Sequence, residues 1–188
     1  MRKVAVPMLL LLWSGAPVVC GQGTSAITTA VAATAPSSPL DAVRFLVGTW
    51  QGDGSGQPGQ GSGSVSFALD LDGHVLVRRS HSEYPATAGR PPVAHEDLMV
   101  IYPAPGRGGL AAVYFDNEGH VIPYSVDVSK DGKTIVFQSE PESSQPRFRL
   151  TCTRVAEDVV DVAFEIAPPG TPAAFKPYVS GRTRRTGH

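Results

Sequence analysis

The sequence predicts an all-β protein folded as an antiparallel up-and-down β-barrel of about ten strands. Short runs of alternating apolar and polar residues recur along the chain, and turn signals of the Asp-Gly type separate several of them. Between these runs we find no amphipathic stretch of about ten residues that would form a helix. A ten-stranded meander leaves two long unpaired edges unless the sheet closes, so a barrel is expected, with a two-sheet sandwich as the alternative.

The predicted strands follow one another without a long interruption. They occupy residues 48–53, 64–71, 75–83, 95–102, 110–116, 120–128, 133–139, 147–154, 159–166 and 175–185. The turn signals Asp72-Gly73, Asn117-Glu118-Gly119 and Asp131-Gly132 each separate two such runs. The sequence GSGQPGQGSG, residues 54–63, is almost free of apolar side chains, and we expect it to form a flexible loop at the barrel rim.

The chain is predicted to begin with a secretory signal peptide at residues 1–21. Arg2 and Lys3 precede an apolar run that is too short to span a bilayer. We therefore expect a secreted or periplasmic protein; a lipid anchor through Cys20 is the alternative, disfavoured because Val19 stands where a small residue is preferred. Residues 22–39, rich in Thr, Ala and Ser, predict a flexible tether before a single domain at 40–188.

Charge and cysteine content exclude several classes of function. Removing Arg2 and Lys3 from the 16 basic residues leaves 14 against 17 acidic ones, which favours neither nucleic acid nor an anionic membrane as a partner. One cysteine, Cys152, remains after the predicted signal peptide, so we expect no internal disulfide and a buried core thiol. The sequence contains no catalytic motif and no metal-ligand spacing, so neither a catalytic residue nor a metal site is predicted.

A short helical turn, which we expect Asp41 to cap, leads into the sequence FLVGTWQGDG at residues 45–54. This pattern resembles the start of the calycin barrels, which include lipocalins and fatty-acid-binding proteins, and is most similar to their ten-stranded nitrobindin-like branch. The resemblance implies that Trp50 plugs one end of the barrel and that Gly48 permits the close backbone approach this requires. It also implies that an arginine of the last strand covers the tryptophan. The candidates are Arg182, Arg184 and Arg185.

The same resemblance implies a barrel that binds a small apolar or amphipathic ligand in its cavity without transforming it, and the predicted signal peptide makes this an exported protein. Nitrobindin-like proteins also bind haem through a histidine near the end of the domain. Residues 175–185 contain no histidine, and His188 lies beyond the predicted last strand, so no cofactor is expected and haem remains an alternative with Tyr178 as a possible ligand. The oligomeric state stays open.

Polar residues on the predicted strands are the candidates for contacting such a ligand. They are Arg79, His81, His95, His120 and Tyr124. Arg78 and Arg79 are adjacent on one strand and must face opposite sides. A two-residue turn before this strand would point Arg78 inward, whereas a three-residue turn would point Arg79 inward; we expect the second, because it also places two valines inside.

Two other functions remain open beside the binding protein. An enzyme on the same barrel would use His81 or His95 as acid or base and Arg79 to stabilise an anion. In any of these interpretations an inward Arg79 would need an acidic partner, for which Glu83 and Asp97 are available. A purely structural barrel would be filled by its own side chains. The histidines would then be solvated or structurally hydrogen-bonded residues.

Overall fold

The computed structural model describes residues 38–106 and 108–187, which form a closed barrel of ten antiparallel strands preceded by a short 3₁₀ helix. The predicted all-β barrel is therefore confirmed. The strands are β1 (Gly48–Gly56), β2 (Gly61–Asp70), β3 (Val75–Tyr84), β4 (Val93–Pro103), β5 (Leu110–Asp116), β6 (Val121–Val128), β7 (Thr134–Ser139), β8 (Arg147–Ala156), β9 (Val159–Ala167) and β10 (Lys176–Gly187). The predicted signal peptide and residues 22–37 of the predicted tether lie outside the described residues.

Each strand pairs with its neighbours in the sequence, and β1 pairs with β10 to close the barrel. Closure removes both edges of the meander, which is the reason the sandwich alternative does not form. Within residues 38–106 and 108–187, no helix is long and apolar enough to cross a membrane.

The 3₁₀ helix spans Pro39–Leu46 and covers one end of the barrel. Ser38, rather than the predicted Asp41, is its N-cap: the Ser38 hydroxyl accepts a hydrogen bond from the Leu40 N–H. Pro39 follows directly at the first helical position, where its missing N–H costs nothing. Leu40 and Leu46 are buried in the barrel core, so this short helix is held by packing rather than by its own hydrogen bonds.

Trp50 lies on the inner face of β1 beneath this helix and is 1% exposed. Its indole Nε1–H donates to the Leu46 carbonyl over 2.8 Å. The Arg185 guanidinium of β10 covers the indole ring, 4.1 Å from its centroid, and donates to the carbonyls of Phe45 and Val47. These carbonyls end the helix and have no partner within it, so an arginine at this position both satisfies them and complements the helix dipole.

Gly48, at the start of β1, has φ +124°, a backbone conformation that residues other than glycine rarely adopt. A Cβ there would lie 2.5 Å from the Gly187 carbonyl oxygen and 2.8 Å from Arg185 Nη1. Gly48 therefore allows the two closing strands and the arginine to approach each other.

The glycine-rich run at residues 54–63 is not the rim loop that the sequence predicts. β1 continues to Gly56 and β2 starts at Gly61, which leaves only residues 57–60 as the connection. Along these strands and β10, glycines alternate on the inner face, and Gly54 pairs with both Gly61 and Gly181. A Cβ on Gly52 would lie 2.9 Å from the Thr183 Cα and even closer to the Arg182 carbonyl oxygen. The glycines therefore permit a close approach of the paired backbones of β1, β2 and β10 and do not form a flexible loop.

We predict that replacing Arg185 by methionine lowers the free energy of unfolding by about 3 kcal/mol, because the change removes the contact with Trp50 and leaves the Phe45 and Val47 carbonyls unpaired. Arg184→Met is the matched control, since Arg184 is exposed on the outer face of the same strand. It should change stability by about 0.5 kcal/mol or less. Urea denaturation measures both, and equal losses would contradict the role given to Arg185.

We also predict that Gly52→Ala destabilises the barrel by about 2 kcal/mol, because its Cβ meets the backbone of β10. Gly54→Ala should be far milder, since its nearest contact, the Ser180 carbonyl oxygen at 3.1 Å, needs a shift of only a few tenths of an ångström. Thermal unfolding of the two variants compares them directly. Equal stability would show that the close approach does not require glycine.

Candidate functional site

The register of β2 with β3 decides which arginine faces the interior. Phe67, which is buried, pairs directly with Arg78, so Arg78 points into the barrel and Arg79 points to solvent. The prediction that Arg79 faces inward is wrong. The connecting loop has four residues, 71–74, and an even loop length gives the same facing as the two-residue turn. In this register the fully buried Leu76 faces inward, whereas Val75 and Val77, which we expected inside, face outward.

The same register separates His81 from His95. His81 pairs with Glu96 and faces outward, whereas His95 pairs with Ser82 and faces inward, so the two histidines do not face each other as expected. His81 lies 3.1 Å from Glu83 and 3.4 Å from Glu96, and the hydrogen bond with Glu83 raises the pKa of its imidazole. Arg79 and His81 line an open groove of about 620 Å³ on the outer face. They do not contribute to the interior.

Arg78 forms an ion pair with Asp97 inside the barrel, through Nη1 and Oδ1. The two side chains are 14% and 6% exposed, so both charges are largely removed from water. Burial raises the pKa of Asp97, while Arg78 acts in the opposite direction. A buried pair of this kind contributes little to stability compared with apolar packing, but removing one partner is costly.

His95 lies on β4 next to this pair and connects β4 with β5 and with the β5–β6 turn. Its Nε2 lies 2.9 Å from the Tyr114 hydroxyl and 3.8 Å from Asp97 Oδ2, and its Nδ1 lies 3.2 Å from Glu118 Oε1. Burial raises the pKa of Tyr114, and the nearby charge of Asp97 raises it further. Tyr114 therefore acts here as a neutral hydrogen-bonding group rather than as a nucleophile.

His120 lies in the turn before β6 and is exposed, with Nδ1 2.8 Å from Asp116 Oδ2. Asp116 also accepts hydrogen bonds from the backbone N–H groups of Glu118 and His120. Burial acts to raise the pKa of Asp116, but the hydrogen bonds from His120 and the backbone outweigh it, so the pKa is lowered. Asp116 thus holds the β5–β6 turn and places its charge beside Asp97, with which it pairs in register.

Aromatic side chains form the opposite wall at this end of the barrel. Phe148 stacks on Phe164 with ring centroids 6.1 Å apart, and Phe164 meets the edge of Tyr178 at 6.0 Å. The Tyr124 ring, nearer the polar wall, is 6.2 Å from Tyr114. We call the inward-facing groups at the end opposite the helix the open-end cup. Its members are Arg78, His95, Asp97, Tyr114, Asp116, Tyr124, Phe148, Phe164 and Tyr178.

Burial differs between the two ends of the barrel. Inward side chains next to the helix, such as Leu76, Met99 and Ile135, are fully buried and form the core. In the open-end cup, Tyr114, Phe148, Phe164 and Tyr178 face inward and are only half-buried. The barrel is therefore closed by packing at the helix end and is accessible at the other end.

A small enclosed space lies beside Arg78 among the core side chains, bordered by Trp50, Phe67, Cys152 and other residues. Its volume is about 30 Å³, whereas ligand pockets typically measure about 300 to 1,000 Å³. Burial raises the pKa of the Cys152 thiol to about 11, so this residue is the inert core group that the sequence predicts.

The residues present do not fit haem. His95 is the histidine that faces the interior, and hydrogen-bonding groups stand at both of its ring nitrogens. Tyr178 packs against Phe164, so its ring is part of the aromatic wall. Across residues 38–106 and 108–187, no three His, Cys, Asp or Glu side chains are grouped to hold a metal ion.

The structure brings together three of the five predicted ligand-contacting residues. His95 and Tyr124 lie in the cup, and His120 touches it through Asp116, whereas Arg79 and His81 are on the outer face. The enzyme alternative requires at least two of His81, His95 and Arg79 around one cavity. Arg79 and His81 both line the outer groove, whereas His95 lies inside the barrel. Sequence reasoning missed Arg78, Tyr114, Asp116, Phe148 and Phe164 as site residues. The strand alternation carried this information, but only with the correct register.

No protein-family model matches the sequence, and no curated protein matches it. Among solved structures, the S-type phycobiliprotein lyase CPES from Guillardia theta is 11% identical over 80% of this chain and 94% of its own, with a TM-score of 0.47. EF1p2_mFAP2b bound to DFHBI is 12% identical over 80% of this chain and 100% of its own, with a TM-score of 0.41. The redesigned β-barrel mFAP1 bound to DFHBI is 13% identical over 77% and 98%, with a TM-score of 0.38. At these values none of the three assigns a ligand or an activity to this chain.

We predict that Asp116→Asn lowers the free energy of unfolding at pH 7 by about 1 kcal/mol, because asparagine retains an acceptor oxygen but loses the charge that faces His120. The folded pKa of Asp116 lies below its unfolded value of about 3.9, so the contribution is complete above that pH and is lost as the pH falls through the folded pKa. The difference between the two proteins should therefore shrink as the pH falls below about 4.

Urea denaturation of both proteins across this pH range checks the prediction. Asp127→Asn, on an exposed position of β6, removes one negative charge elsewhere and should show neither the loss nor its pH dependence. A difference for Asp116→Asn that stays constant from pH 7 to pH 2 would show that the charge is not its source.

Proposed function

We propose that this protein binds a small amphipathic molecule in the open-end cup and does not transform it. One observation carries the proposal: inward-facing aromatic side chains, among them Phe148, Phe164 and Tyr178, are left half-buried at one end of a barrel whose other end is packed shut. Apolar surface that faces inward and remains accessible is the surface that a bound apolar group would cover.

The composition of the cup supports an amphipathic ligand rather than a purely apolar one. An aromatic wall stands opposite a polar wall that contains the Arg78–Asp97 ion pair, His95 and Tyr114. Apolar walls with a few fixed polar groups are typical of small-molecule sites, in which the polar groups fix the orientation of the ligand. Because only about 30 Å³ is enclosed below the cup, most of the ligand would lie in the cup itself.

An exported calycin-like protein is the biological form we propose. The helical turn, the Gly-Thr-Trp sequence and Arg185 stacked over Trp50 support the calycin assignment, and the basic and apolar start of the sequence supports export. The function nevertheless depends on the cup and not on the barrel alone, since one fold carries many functions.

The test uses N-phenyl-1-naphthylamine, an uncharged amphipathic fluorophore, with the 188-residue chain. We expect saturable binding with one probe per chain, and about tenfold weaker binding to Phe164→Ala, because this change removes the central ring of the aromatic wall. Probe fluorescence measures both affinities. Circular dichroism confirms that the variant is folded.

Phe115→Ala is the matched control, since Phe115 is 41% exposed on the outer face and lines the outer groove. It should leave probe binding unchanged. Loss of binding in Phe115→Ala with retention in Phe164→Ala would move the site to the outer groove. Absence of saturable binding to the unmodified chain would favour a barrel filled by its own side chains.

A further inference from the structure

The Arg78–Asp97 ion pair leaves hydrogen-bonding positions unused on its arginine. Of the described residues, only Asp97 accepts a hydrogen bond from the guanidinium, through Nη1. No fully buried side-chain nitrogen or oxygen in residues 38–106 and 108–187 lacks a partner. The Nε and Nη2 groups of Arg78 therefore reach accessible space. A planar guanidinium carries five N–H donors in a fork, so several remain open to an incoming acceptor.

Asp97 likewise keeps free acceptor positions. Arg78 hydrogen-bonds to its carboxylate, and His95 Nε2 is 3.8 Å from Oδ2, beyond hydrogen-bonding distance. An ionised carboxylate has about four acceptor positions. Because the side chain is 6% exposed, its remaining positions accept only from a group brought into the barrel.

A ligand with a charged end is disfavoured at this pair. A carboxylate that approaches Arg78 also meets Asp97, which already neutralises the guanidinium, and the charge of Asp116 lies directly across from Asp97. An ammonium group that approaches Asp97 meets Arg78 in turn. A third charge would also lose its hydration beside Trp50 and Phe67, which border the enclosed space next to Arg78.

The enclosed space beside Arg78 fits a small uncharged polar group. Its volume of about 30 Å³ accommodates roughly two water-sized groups, which is the size of a carboxamide. The carbonyl oxygen of such a group would accept from Arg78, which borders the space. Its N–H would donate to Asp97, which is the ion-pair partner of Arg78 but does not itself border the space.

We infer that the polar end of the ligand is an uncharged group with both a donor and an acceptor, in its simplest form an amide, held between Arg78 and Asp97. This inference rests on the proposed binding function and names the chemical class of its ligand. An amide pairs with both partners of the ion pair without adding a charge.

The test compares three probes of the same chain length, nonanamide, nonanoate and nonylammonium, by isothermal titration calorimetry with the 188-residue chain at pH 7. We expect nonanamide to bind at least about tenfold more tightly than either charged probe. Tighter binding of nonanoate or nonylammonium would overturn the inference and leave the proposed function standing. Failure of all three, together with failure of the uncharged fluorophore, would overturn the proposed function itself.

Arg78→Lys tests the residue assignment, because lysine retains the charge opposite Asp97 but lacks the planar fork. We expect it to lose the preference for nonanamide. Arg79→Lys, one residue away on the outer face, is the matched control and should keep that preference. Nonanamide binding that is equal in the two variants would overturn the assignment to Arg78. If Arg78→Lys does not fold, the probe series on the unmodified chain decides the inference.

Discussion

The barrel depends on the contact that joins its first and last strands, in which the Arg185 guanidinium of β10 stacks over the Trp50 ring of β1. The two residues pair in register across the seam that closes the sheet, and the helix packs over the same point. Arg185 and Trp50 together bind three carbonyls at the end of the helix, which would otherwise be buried without partners. Closure of the sheet, docking of the helix and burial of the tryptophan therefore depend on the same two side chains.

The closing strands also approach each other closely, which the glycine-alternating stretch of β1, β2 and β10 permits. Side chains at several of these inward positions would collide with the neighbouring backbone. The bulky inward side chains of the cup come mainly from β3 to β9, with Tyr178 of β10 completing the aromatic wall.

An ion pair inside a barrel brings little net stability, since desolvation of Arg78 and Asp97 offsets much of their attraction. The helix half of the barrel already forms a closed apolar core without it. Its position at the boundary between that core and the accessible cup is the one that the proposed orientation of a ligand requires. The tyrosine and histidine beside it form hydrogen bonds with neutral and charged partners, which fixes the geometry of the polar wall.

The ten strands, their order and the preference for a barrel over a sandwich could be predicted from the sequence, because alternation and turn residues are local signals. The sequence did not determine the facing of β3. Val75, Val77 and Arg79 alternate with Leu76, Arg78 and Ser80, so either set gives an acceptable inner face, and the loop length that chooses between them is not encoded in a turn signal as short as Asp72-Gly73. A shift of one residue exchanges every side chain between core and solvent. The tertiary structure made this choice through the pairing of Phe67 with Arg78, and so placed Arg78 inside and His81 outside. The glycine run was misinterpreted for a related reason: its residues have no side-chain pattern of their own, and only the close approach of β10 shows that they form strands.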